Sequence, residues 1–387
     1  MKNTLLCFLS LIFLASCGQN EIKETETSIS EYSITKIDSF EVNNLTRVFI
    51  RDYSVELDRY FGYAMVEDDL LEISGEGEII KRTHKKGDGP GLYGNWNPIG
   101  ISFGPEQERI VELPFQILSY DSTYSVIHSQ RIQSPLPIRT FGPMGRTEYF
   151  QNYDSTFYLV GPSNYLSSHY LIQNEEGRDT LKNFYKIHIQ SGDMKSIIPY
   201  RESSPYRQTQ DVYQELMTKS FLVDHEKQEL LILHALSKEI EVYNLPDLDF
   251  SRSIPITHSE FVEYSPVPLG TMGNDDRIKP LRFMAGRNQS LIKVDSDTYL
   301  IKYFTGVSEA EYQTRIANDA TYIPSSDPEE QAILIIKNGE QVSQELSGIA
   351  GSILFGLGDG KFLVQEPENQ EVEEEKTRFS IYQIKSS

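Results

Sequence analysis

Residues Arg139 to Val160 read RTFGPMGRTEYFQNYDSTFYLV, and the pattern returns at Arg282 to Ile301 as RFMAGRNQSLIKVDSDTYLI. Gly145-Arg146 matches Gly286-Arg287. Eight positions after each arginine stands an Asp-Ser pair, Asp154-Ser155 and Asp295-Ser296. Tyr158-Leu159-Val160 then matches Tyr299-Leu300-Ile301. A spaced recurrence of this kind marks a chain built from copies of one supersecondary unit.

Short β-type runs separated by turns extend in both directions from these two copies. Leu70 to Ile73 meets Ile79-Ile80 across Ser74-Gly75-Glu76-Gly77, Ala332 to Ile336 turns at Asn338-Gly339, and Ile353 to Leu357 turns at Gly358-Asp359-Gly360. Each is a hairpin signal. Helical periodicity is confined to two short candidates, Gln210 to Lys219 and Ser308 to Asn318. Grouping the runs gives six four-stranded units at 44–86, 97–136, 147–200, 218–256, 288–348 and 351–385. This predicts an all-β protein, a six-bladed β-propeller forming one domain over 32–387. The sixth unit supplies only three strands. The alternating segment Tyr32 to Val42 is expected to add the fourth and close the ring, so that no sheet edge is left open. A seven-bladed ring is the alternative, because the fifth unit is long enough to contain a further blade.

The N-terminus is a separate matter. Lys2 precedes an apolar run from Leu5 to Leu14, too short to span a bilayer permanently, so residues 1–16 read as a signal peptide. Leu14-Ala15-Ser16-Cys17 resembles a bacterial lipoprotein box, which implies cleavage before Cys17 and a lipid on its sulfur. Residues 17–31 are polar and read as a flexible tether. The expected address is the cell envelope, with the protein lipid-anchored at the outer membrane and either periplasmic or surface-exposed. Cys7 and Cys17 are the only cysteines, so a mature domain starting at Cys17 contains no disulfide and no thiolate metal site.

Gly87-Asp88-Gly89-Pro90-Gly91, followed by Asn97-Pro98-Ile99-Gly100-Ile101, resembles a step between blades in six-bladed propeller lipoproteins of Bacteroidota, a group related to NHL- and TolB-type propellers. The resemblance implies fold and location more than activity, since many members of that group have no assigned activity.

The formal charge is −21. Such a surface repels nucleic acid, and no nucleic-acid partner is expected. Against this background, cationic side chains recur in the loops that lead into the inner strands. Those loops meet around the channel mouth of a propeller. The candidate ligand-binding residues are Trp96, Arg139, Arg146, Arg207, Arg282 and Arg287. Arginine suits a carboxylate, uronate or phosphate because its planar fork offers paired donors. Trp96, the only tryptophan, suits stacking on a sugar ring or a peptide. A purely structural role is open to the same residues: Arg146 can pair with Glu148, and the repeated Gly-Arg and Asp-Ser pairs can simply pin each inner turn.

Enzyme signals are sparse. There is no His-Glu-x-x-His and no phosphate-binding Gly-Lys-Ser/Thr loop, and the seven histidines are scattered. Neither a metal nor another cofactor is expected. Three functions follow from these signs: a non-enzymatic module binding an anionic glycan or peptide at the channel mouth, a propeller-type glycan lyase or hydrolase, or a scaffold contacting partners in the envelope by its sides.

Overall fold

The computed structural model describes residues 32–132, 144–160, 184–368 and 375–386. The signal peptide, Cys17, the tether and Arg139 lie outside the described residues. Six antiparallel sheets follow one another along the chain. Blade 1 comprises Val48–Ser54, Arg59–Ala64, Asp69–Ser74 and Ile79–His84. Blade 2 comprises Gly100–Phe103, Arg109–Leu113, Gln116–Tyr120 and Val126–Arg131. Blade 3 comprises Tyr149–Asn152, Ser155–Val160, Phe184–His188 and Met194–Ile198. Blade 4 comprises Lys219–Asp224, Glu229–His234, Glu239–Asn244 and Asp249–Pro255. Blade 5 starts with Arg287–Lys293, Thr298–Phe304 and Gln331–Lys337, and its outer edge is formed by two short pieces, Glu340–Gln341 and Leu346–Ser347. Blade 6 comprises Ser352–Gly358, Lys361–Gln365 and Lys376–Ser386, with Tyr32–Asn43 outermost.

The ring therefore has six blades and closes as the alternation of Tyr32 to Val42 predicts. Tyr32–Asn43 pairs antiparallel with the last strand from Tyr32↔Ser386 to Asn43↔Lys376. The Lys376 ammonium donates to both Glu41 carboxylate oxygens at 2.7 Å. The length of unit five contains no seventh blade. It is taken up between the second and third strands of blade 5 by a helix, Glu309–Asn318, and two short 3-10 turns. That helix starts with a capping box in which Ser308 and Glu311 satisfy each other's backbone N–H groups. The other expected helix, Gln210 to Lys219, does not form. Val212 instead bridges Val267, and Lys219 begins a strand. The spacing of Val212 and Leu216 imitates a helix, but both side chains are buried in an irregular loop against blade 3.

The core is divided among the blade interfaces. Phe61 and Tyr63 of blade 1 pack with Ile101 and Leu118 of blade 2. Ile110 and Ile117 pack with Tyr158 and Ile187, and Leu159 and Phe184 with Val223 and Leu230. Leu231 and Ile240 pack with Leu291 and Leu334, Leu300 and Ile333 with Ile353 and Phe362, and Phe40 and Leu363 with Val48 and Ile50. Each blade is hydrophobic on both faces and buries them only against neighbours, which is why such a unit is stable in a closed ring and not alone.

Hydrogen bonds link the inner strands across the blades. The Asp52 carboxylate accepts from the Phe103 N–H at 2.8 Å, the Glu148 carboxylate from the Val223 N–H at 3.1 Å and the Ser220 hydroxyl from the Leu291 N–H at 2.8 Å. These side chains hold the walls of the central channel.

Candidate functional site

Two cavities occupy the channel. The upper one, about 700 Å³, lies among the starts of the inner strands of blades 4, 5 and 6. Lys219, Arg287 and Ser352 line it from those strands, and Lys302 and Gln331 from the strands behind. The lower one, about 500 Å³, is lined further along the same strands by Leu222, Leu291 and Phe355, and from blades 1 to 3 by Asp52, Arg146 and Glu148. Lys219 lines both.

The two matching arginines of the internal repeat come to opposite situations. Gly145-Arg146 forms a short strand parallel to Gly100–Phe103, on the channel side of blade 2. This close approach needs Gly100, where a Cβ would come within 2.3 Å of the Thr147 hydroxyl. From there Arg146 Nε donates to Asp52 Oδ1 at 2.8 Å and Nη1 to Glu148 Oε1 at 2.6 Å. Burial works against the Arg146 charge, but the two carboxylates outweigh it and hold its pKa above the ordinary arginine value. Arg146 is thus consumed by partners at the point where blades 1, 2 and 3 meet.

Arg287 begins the inner strand of blade 5. Its Nη2 donates to the main-chain carbonyl of Arg282 at 2.8 Å, and its guanidinium lies over the Phe304 ring at 5.4 Å. Among the described residues it makes no ion pair, and its Nε has no hydrogen-bond partner. Burial lowers its pKa to about 10, with Glu215 opposing. Lys302 is likewise without an acid: its ammonium donates to the Gly351 carbonyl at 2.9 Å, and burial alone lowers its pKa to about 8. Lys219 is half-buried, with its ammonium 4.7 Å from the Phe184 ring centre. Burial lowers its pKa to about 7 against the pull of Glu241.

The acids of the upper cavity are occupied. Glu215 accepts from Arg282 at 2.8 Å, Glu366 from Lys36 at 2.8 Å and Glu368 from Arg47 at 3.0 Å. Among the described residues, Arg287 and Lys302 therefore line the upper cavity without an ion pair, on a strongly acidic protein.

The remaining sequence candidates are dispersed. Arg282 reaches the rim of the upper cavity through Glu215. Arg207 pairs with Glu202 at 2.9 Å on the surface, an exposed pair of little energetic weight. Trp96 is half exposed and packs edge-on against Phe115 with ring centres 5.5 Å apart. Neither Arg207 nor Trp96 lines either cavity. Lys302, Gln331 and the Ser325-Ser326 pair escaped sequence reading, because they lie on second and third strands and in the long excursion of blade 5. The capping-box helix that marks that excursion was the available signal.

Two further points bear on chemistry. Gly100-Ile101-Ser102-Phe103-Gly104 matches the letters of a nucleophile elbow. Ser102 lies inside a β-strand, wholly buried and without a hydrogen-bond partner, so it is no exposed nucleophile on a strand-to-helix turn. Among the described residues no group of three or more His, Cys, Asp or Glu side chains could hold a metal ion.

No protein-family model matches the chain, and no curated protein matches it by sequence. Among solved structures the chain is similar to a member of the DUF4221 family from Bacteroides vulgatus, with a TM-score of 0.66 and 14% identity over 92% of this chain and 99% of that one. It is also similar to a "putative exported protein" from Bacteroides fragilis, with a TM-score of 0.50 and 11% identity over 94% of this chain and 96% of that one. At these identities the likeness is one of fold. Both structures come from Bacteroidota, the group that the Gly87–Gly91 step resembles.

Proposed function

We propose that this protein is a lipid-anchored propeller of the bacterial cell envelope and a non-enzymatic binding module, holding an anionic ligand in the upper cavity of its channel. One observation carries the reading: Arg287 and Lys302 share a cavity of about 700 Å³ and neither makes an ion pair among the described residues. Cations withdrawn from water without an ion-pair partner are costly, and a site that keeps two of them in one cavity is suited to an anion arriving from outside. The volume falls in the ordinary range for small-ligand sites.

The alternatives have less behind them. A lyase or hydrolase needs carboxylates or a histidine free to move protons. Asp52 and Glu148 are in the channel, but both are committed to Arg146 and to main-chain amides. His225, which lines the same cavity, packs on the Tyr149 ring with ring centres 4.7 Å apart. A pure scaffold has no use for open cavities in its channel.

The test uses the full-length protein in detergent micelles, titrated with a panel of small carboxylates and phosphates. Arg287→Met and Lys302→Met are expected to abolish binding while the melting temperature holds. Binding unaffected by either replacement would sink the reading. For the address, Cys17→Ser is expected to release the protein from the membrane fraction, and a variant that stays there would refute the lipid anchor.

A further inference from the structure

The upper cavity has a second property that its charge does not dictate. Among the described residues its lining contains no aromatic side chain and no Leu, Ile, Val or Met. Eight of its lining residues are Ser, Thr, Asn or Gln. Small-molecule sites are usually the reverse, mostly apolar with a few placed polar groups. The chain does not avoid apolar groups in the channel as a whole, for the lower cavity is walled by Phe221, Leu222, Leu291, Leu354 and Phe355. The polar lining is local to the mouth.

We infer that the ligand of the upper cavity is a hydroxyl-rich anion, a sugar acid in chemical class, and not an aromatic, lipid-like or hydrophobic-peptide anion. This rests on the reading of the cavity as an anion site. A cavity with few apolar side chains offers less of the roughly 25 cal/mol per Å² that apolar burial supplies, so charge and hydrogen bonds must carry more of the affinity. The polar groups offered to a ligand are of two kinds. Arg287 and Lys302 are cations that make no ion pair among the described residues. Ser325, Ser326 and Ser352 carry hydroxyls that can donate or accept. The Gln331 and Gln289 amides donate to the Ser325 carbonyl at 2.6 Å and 3.2 Å and fix the ledge that bears Ser325 and Ser326. A bare carboxylate can satisfy the cations but has nothing to match the serine hydroxyls. Hydroxyls beside the carboxylate match them.

The experiment is calorimetry on the full-length protein in detergent micelles with four probes: D-glucuronate, 3-phenylpropionate, inorganic phosphate and D-glucose. Glucuronate is expected to bind at least about tenfold more tightly than each of the others, since it alone carries both a carboxylate and hydroxyls. Replacing Ser326 and Ser352 together by alanine is expected to weaken glucuronate by about three- to tenfold and to leave 3-phenylpropionate unchanged. If 3-phenylpropionate or phosphate binds as tightly as glucuronate, the hydroxyl-rich class is overturned while the anion site stands. If glucose equals glucuronate, or if no probe binds, the anion reading falls as well. The four-probe comparison on the unaltered protein decides the matter even if the double variant does not fold.

Discussion

Arg146 donates from Nε to the Asp52 carboxylate at 2.8 Å across 94 positions of sequence, joining an arginine on the channel side of blade 2 to the inner strand of blade 1. Its other branch holds Glu148, and both carboxylates also receive main-chain N–H groups from a neighbouring blade. Removing Arg146 leaves two buried acids without a counter-charge. Arg146→Met is therefore expected to destabilise the ring by about 3–5 kcal/mol in urea unfolding at neutral pH. Arg287→Met removes a half-buried cation that makes no ion pair among the described residues and should cost little or nothing. Equal losses in the two variants would contradict the different situations assigned to them.

Glu112 gives a pH test. It is buried beside Gly100, and its carboxylate accepts only from the Thr147 hydroxyl at 3.1 Å among the described residues. Burial lifts its pKa from 4.5 to about 7, with the Thr147 bond opposing. Between those values the folded state holds a proton that the unfolded state has lost, so stability falls as pH rises through the window and the full cost persists above it. Glu112→Gln should raise stability by about 3 kcal/mol at pH 8 and change little at pH 4. Melting curves of both proteins across that range would show the two lines diverging.

Lys302 has the opposite sign. Its folded pKa, about 8, lies below its ordinary value of 10.5. Between these values the unfolded state holds the extra proton, and stability contributed by this group rises with pH. Ligand binding runs the other way, because an anion favours the charged ammonium. Affinity should fall as pH rises through 8, and binding at pH 8 should take up protons. Calorimetry in buffers of different ionisation enthalpy measures that uptake, and Lys302→Arg should reduce it. Lys219, lowered to about 7, is expected to supply the remainder.

Ring closure can be probed at Gly77. Its φ is +91°, and a Cβ there would lie 2.4 Å from the Glu41 carbonyl oxygen of the closing strand. Gly77→Ala combines a left-handed strain with a backbone clash and should cost about 2 kcal/mol or more. Loosening Tyr32–Asn43 uncovers the edge of Lys376–Ser386, so light scattering should show association before global unfolding. A variant as stable and monodisperse as the parent would show that the closing strand yields easily.

Much of the architecture is legible in the chain because its causes are local. Period-two alternation and turn residues mark the strands, and the unit boundaries drawn from them fall within a few positions of the blades. The Ser308–Glu311 capping box marks the one α-helix among the described residues. The helical spacing of Val212 and Leu216 misleads because burial, not periodicity, is what those side chains satisfy. The candidate site was legible only in outline. Arg287 and Arg282 meet at the upper cavity, whereas Trp96 and Arg207 do not line it.

By itself the sequence determined a repeated four-stranded unit and an unpaired N-terminal segment suited to close the copies into a ring, with six or seven copies open. Those follow from hydrophobic period and turn chemistry, which act over a few residues. Only the tertiary structure decided which of two matching Gly-Arg pairs is spent and which is available. Arg146 meets Asp52 and Glu148, whereas Arg287 meets a carbonyl and a ring. The charge state of a site depends on every side chain within a few ångströms, and in a ring of blades most of those come from other blades.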